Sequence, residues 1–144
     1  MLDSASIEHI GIRISDRDVS VTFCETLGFC FVAGAAYDQG HPIVMRHPSG
    51  LVVNLLGPAN VMQGENILMD RPDKYPGITH VALKMKDIAG TEKALSKAGI
   101  LIPDRRHFMG VSTIFIRDPD RNLLELVGEG PDVATLITTF EAQA

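Results

Sequence analysis

The chain has few cysteines and no tryptophan: Cys24 and Cys30 are the two thiols among 144 residues. Two thiols six residues apart form neither a disulfide framework nor a CxxC metal or redox motif. They read as buried or half-buried thiols of a protein kept in a reducing, cytoplasmic setting. Long apolar runs are also missing. None approaches the ~20 residues that span a bilayer, and the first twenty positions carry acids and arginines where a leader would be apolar. Positive charge is sparse and scattered. The formal net charge is −5, and 13 Lys and Arg stand against 18 Asp and Glu, which excludes nucleic acid and anionic membranes as expected partners. No segment is low in complexity, and 45% of residues are hydrophobic. A chain of this length buries about 68–70% of its unfolded surface and folds without a staple.

What the sequence does contain is itself, twice. Sliding it by 71 positions superposes Ile7 on Ile78, His9 on His80, Asp16 on Asp87, Gly28 on Gly99 and Ile43 on Ile114. Arg46, Pro48, Leu55 and Gly57 then fall on Arg117, Pro119, Leu126 and Gly128. These nine identities over residues 7–57 need no gap, where unrelated segments would give roughly three.

Each half follows one plan. Residues 7–14 alternate, with Ile10, Ile12 and Ile14 on one face and His9, Gly11 and Arg13 on the other. Asp16 is an N-cap, and the helix it opens ends at the C′ glycine Gly28; Asp87 and Gly99 repeat the arrangement. Strands are then expected near 29–36, 41–46 and 51–56, and near 100–103, 111–117 and 122–127. The turns "HPSG" (47–50) and "DPDR" (118–121) separate the last two of each set. The expected fold is α+β: tandem βαβββ modules at 5–57 and 77–128, joined by a linker at 58–76. A C-terminal helix within 129–144 follows, carrying Val133, Leu136, Ile137 and Phe140 at helical spacing. The helix docks on its own core or on a partner subunit.

Candidate chemistry follows from strand faces. His9 and His80 point away from the apolar face, beside small residues Gly11 and Ala82. Glu125 lies in an apolar strand, where a carboxylate is costly unless paired or bound to a metal. Its separation from His80, 45 residues, equals that of Asn54 from His9. If the first and last strands of each module are neighbours, these four residues gather at one centre. Two imidazoles and a carboxylate suit one divalent ion of intermediate softness (Ni, Zn, Co, Mn or Fe), with Asn54 as a weak carbonyl ligand.

With "HIGIRISDRDVSVTFCETLGF" (9–29), "GITHVALKMKD" (77–87) and "RDPDRNLLELV" (117–127), the chain resembles the vicinal oxygen chelate superfamily. That group holds glyoxalase I, extradiol dioxygenases, methylmalonyl-CoA epimerase and bleomycin- and fosfomycin-resistance proteins. The resemblance implies curved, barrel-like mixed sheets with helices outside, metal ligands on the concave faces, and a homodimer acting on a small molecule. It puts His9, His80 and Glu125 on three ligand positions. The first strand is most similar to glyoxalase I, which implies Arg13 as a carboxylate clamp for glutathione as co-substrate and Glu125 as ligand and catalytic base. The position of Asn54 holds a glutamate in glyoxalase I and a glutamine in the epimerase. The alternatives are an Fe(II) ring-cleaving dioxygenase, with Tyr37, His41 and His107 as candidate acid/base residues, and a metal-free binding protein.

Overall fold

The computed structural model describes residues 3, 5–61 and 64–144, and within them the βαβββ plan occurs twice. The first unit contains β1 (Ile10–Arg13), α1 (Arg17–Thr26), β2 (Cys30–Ala33), β3 (Ile43–Arg46) and β4 (Val52–Leu56). A 3-10 turn at Tyr37–Gln39 separates β2 from β3. The second unit contains β5 (His80–Lys84), α2 (Ile88–Lys97), β6 (Asp104–Phe108), β7 (Val111–Arg117), β8 (Leu123–Val127) and α3 (Val133–Ala142). The chain divides into these two compact units between Gly64 and Glu65. The latter part of the connection therefore folds with the second unit, while positions 62 and 63 lie outside the described residues.

Both sheets have four strands and one topology. Their orders are β1-β4-β3-β2 and β5-β8-β7-β6, with the first and last strands of each module parallel neighbours at one edge and antiparallel pairs filling the rest. Neither sheet closes on itself. The offset of 71 carries α1 onto α2 and β4 onto β8 residue for residue.

Its physical causes can be read position by position. Asp16 and Asp87 each accept a backbone N–H at 2.9 Å, from Val19 and Gly90, and so begin the helices. Gly28 and Gly99 end them at φ +91° and +75°, a conformation that costs other residues a Cβ clash. Ile43, Leu55, Ile114 and Leu126 are buried on the helix side of their sheets. The first core gathers Ile14, Cys24, Phe29, Tyr37, Ile43, Met45, Val53 and Leu55.

One expected strand is misplaced. Residues 100–103 are not extended in the sheet; the strand is β6, at Asp104–Phe108. Ile100 closes the helix end by donating to the Leu95 carbonyl at 2.9 Å, and Pro103 has no N–H to give a ladder. β6 then turns into β7 through Met109 and Gly110, both with positive φ, as a two-residue hairpin requires. The first module spends the same length differently, on the 3-10 turn that buries Tyr37.

Candidate functional site

Strand alternation decides which side chains can share a site. In β1 the exposed residues Gly11 and Arg13 alternate with Ile10, Ile12 and the buried Ile14, and exposed His9 continues the outer face. β5 repeats this, with His80, Ala82 and Lys84 exposed and Val81 and Leu83 turned inward. Register extends the two faces across the sheets. Gly11 stands opposite Asn54, and Ala82 opposite Glu125. His9, Arg13 and Asn54 thus share the open face of the first sheet, and His80 and Glu125 that of the second.

In the second unit the two side chains meet. His80 Nε2 lies 3.0 Å from Glu125 Oε2, and the carboxylate is half-buried. The Thr79 hydroxyl is 2.8 Å from His80 Nδ1. A ring proton on Nδ1, donated to Thr79 Oγ1, would leave the Nε2 lone pair free for a metal ion; a ring proton on Nε2 would instead be shared with Glu125, with the Thr79 hydroxyl donating to Nδ1. The donor set also fits by distance: two neighbouring ligands, each about 2.1 Å from an ion and at a right angle, stand about 3 Å apart. In the first unit, His9 Nδ1 contacts the Glu8 carboxylate, and Asn54 occupies the place Glu125 takes in the repeat. Among the described residues no group of three or more His, Cys, Asp or Glu is placed to hold a metal ion; the second unit supplies a pair of donors.

The same face holds residues the sequence reading missed. Phe115 stands opposite Glu125 on β7, and Arg106 of β6 places its guanidinium over the Phe115 ring, 5.0 Å from the centroid. The signal was present: Phe115 and Arg106 fall on the Glu125 face as soon as the strand register is known. Of the proposed acid/base candidates, His107 lies on the other face of β6 beside Ser112, and Tyr37 is buried in the first core under the Arg17 guanidinium. His41 is an exposed loop residue.

At the end of this face Arg117 is fixed by Asp70, at 2.7 Å, and by the Arg121 carbonyl. The Asp70 carboxyl is held below its ordinary range, first by the Asn66 N–H at 2.7 Å and then by the Arg117 charge. A lowered acid favours the folded state when ionised, so its contribution is complete above the usual carboxylate pKa and is lost as pH falls through the lowered value. Asp70→Asn should cost about 1 kcal/mol at pH 7, the scale of a partly exposed charge-assisted bond. Urea unfolding of both proteins should show that gap narrowing below about pH 4. A gap independent of pH would exclude the ionised pair as its cause.

Among the described residues no helix is long and apolar enough to cross a membrane. No curated protein matches the chain. Solved structures do. A glyoxalase/dioxygenase from Nostoc punctiforme superposes with a TM-score of 0.70 at 14% identity, covering 91% of this chain and 100% of its own. A glyoxylase/bleomycin resistance protein/dioxygenase domain from Frankia sp. EAN1pec gives 0.66 at 19%, covering 94% and 99%. A glyoxalase family protein from Enterococcus faecalis gives 0.63 at 24%, covering 85% and 96%. At these identities the likeness establishes the fold. The family model for the Glyoxalase/Bleomycin resistance protein/Dioxygenase superfamily matches residues 6–126. With its repeated βαβββ units and the match over most of its length, the chain belongs to that superfamily.

Proposed function

We propose that the protein is a metal-dependent enzyme of the glyoxalase I-like type, acting on a small substrate through two adjacent oxygens. The observation that carries this reading is the His80–Glu125 pair, 3.0 Å apart on the open face, with His80 oriented by Thr79. His80 and Glu125 would hold one divalent ion (Ni, Zn, Co, Mn or Fe) from the second unit. His9, with Asn54 as a weak carbonyl donor, supplies the equivalent positions of the first. Bound there, such an ion polarises a substrate carbonyl and stabilises negative charge on the vicinal oxygens.

The chain's own residues do the rest. Thr79 orients the His80 ring through Nδ1. Glu125, half-buried beside Phe115, is the group able to take a proton from the carbon next to the carbonyl and return it. Arg13, exposed on the first sheet's outer face, is a clamp for a substrate carboxylate such as those of glutathione. The reading includes a cytoplasmic homodimer.

Asn54 favours a second reading. Without a carboxylate there, the strong donors would be two neutral histidines and one carboxylate, the triad of Fe(II) oxygenases, and the reaction would be ring-cleaving dioxygenation of a catechol.

Elemental analysis of protein purified without added metal is expected to give about one divalent ion per site. Isomerisation of the methylglyoxal–glutathione hemithioacetal after loading with Ni, Co or Zn supports the first reading. Oxygen uptake with catechol after anaerobic Fe(II) loading supports the second. Metal-free protein that takes up no ion yet binds a small apolar ligand stoichiometrically would replace both with a binding protein.

A further inference from the structure

Three cations share the Glu125 face of the second sheet, one each on β5, β6 and β7, and two of them are hydrogen-bonded to backbone carbonyls. Lys84 donates through Nζ to the Gly130 carbonyl at 2.9 Å. Arg117 is tied to Asp70 and to the Arg121 carbonyl. Arg106 differs from both. Its neighbour Arg105 turns to the opposite face and pairs with Glu92 of α2, whereas Arg106 lies on the Glu125 side and rests on Phe115. Its Nε is 3.5 Å from Asp104, and its side chain is 70% exposed. The ion pair with Asp104 runs through Nε, and among the described residues Nη1 and Nη2 make no hydrogen bond.

An aromatic ring under a guanidinium limits its swing and leaves the outer fork turned toward solvent. That fork matches a carboxylate in a bidentate pair, which an ammonium group cannot reproduce. Because Phe115 faces Glu125 directly, the fork sits about one to two strand spacings from the Glu125 carboxylate, roughly 5–10 Å. A small molecule with its reacting oxygens at His80 and Glu125 reaches that far within several bonds.

We infer that Arg106, propped on Phe115, binds a carboxylate of the substrate and so selects small anionic molecules whose charge lies several bonds from the reacting end. The position of the reacting end rests on the function proposed above; the anion site itself does not.

Two probes of equal shape separate the ideas, benzoate and the neutral benzamide, titrated into the full-length protein and followed by NMR. Benzoate is expected to shift the Phe115 ring signals saturably in the millimolar range. Arg106→Ala should weaken it about tenfold or more, and Arg106→Lys should restore part of the loss. Benzamide should bind both proteins equally weakly. Benzoate that fails to bind, or that binds Arg106→Ala as well as wild type, overturns the inference. Should a carboxylate-bearing substrate turn over, Arg106→Ala is expected to raise its KM about tenfold with kcat within about threefold. Arg106-dependent benzoate binding in a protein without metal or turnover would remove the proposed activity and leave the anion site in place.

Discussion

Glu125→Gln is expected to reduce bound metal to trace levels and turnover by at least about 100-fold, with the fold intact. Glutamine keeps the shape of the side chain and one carbonyl oxygen, but loses the negative charge and the ability to accept a proton. Both losses act on the atom that faces His80 Nε2 at 3.0 Å. Folding should not suffer. The half-buried carboxylate lies opposite Phe115, on the face turned away from Leu124 and Leu126, where a neutral amide costs less to desolvate. His80→Ala should show the same metal loss, because it removes the other half of the pair. Asn54→Glu tests the repeat from its other end: it installs in the first unit the carboxylate that Glu125 provides in the second. Tighter metal retention is the expected result. Wild-type metal content and turnover in Glu125→Gln would remove the glyoxalase-like and dioxygenase readings together.

How far the sequence alone could lead is clearest in the nine repeated identities. Most mark local physics that a pattern records directly. The aspartates cap helices, the glycines take positive φ, and Ile43, Ile114, Leu55 and Leu126 fill cores. His9 and His80 are exposed in both units, and so are Ile7 and Ile78, at 78% and 87%. Folding within a module does not explain these two pairs, and the histidines are where function was sought. Face assignments were legible because alternation in a strand depends on sequence parity alone. β6 was not, because its Asp104, Arg105, Arg106, His107 and Phe108 make a charged edge strand with no apolar alternation to announce it. The contacts of Thr79 with His80, and of Arg106 with Phe115, depend on side-chain direction and register, which no periodicity specifies.

Gly57 and Gly128 are the repeated pair whose reason only the packing reveals, and they should answer differently to the same substitution. The φ of Gly57 is not positive, so alanine there is conformationally allowed and would gain about 0.4–1 kcal/mol through the unfolded chain. Packing reverses the sign. A Cβ at Gly57 would fall on the Tyr37 hydroxyl and lie 3.0 Å from the Ile14 carbonyl, which the Ala59 N–H holds in place at 2.8 Å. Tyr37 is itself buried beneath the Arg17 guanidinium, so its ring has little freedom to withdraw. Gly57→Ala should therefore cost about 2–3 kcal/mol in urea unfolding. Tyr37→Phe removes a buried hydroxyl that has no hydrogen-bond partner among the described residues, and should be neutral or stabilising by about 1 kcal/mol. In the Tyr37→Phe background, Gly57→Ala should cost only about 1 kcal/mol, a coupling of about 1–2 kcal/mol. Strictly additive effects would exclude the hydroxyl as the obstacle. Gly128 offers no such relief. There the Cβ would meet the Ser112 carbonyl oxygen at 2.8 Å, the acceptor of the Gly128 N–H, and Ile88 at 3.1 Å. Backbone cannot be trimmed as a side chain can, so Gly128→Ala should remain destabilising by about 2–3 kcal/mol even when Ile88 is shortened to valine.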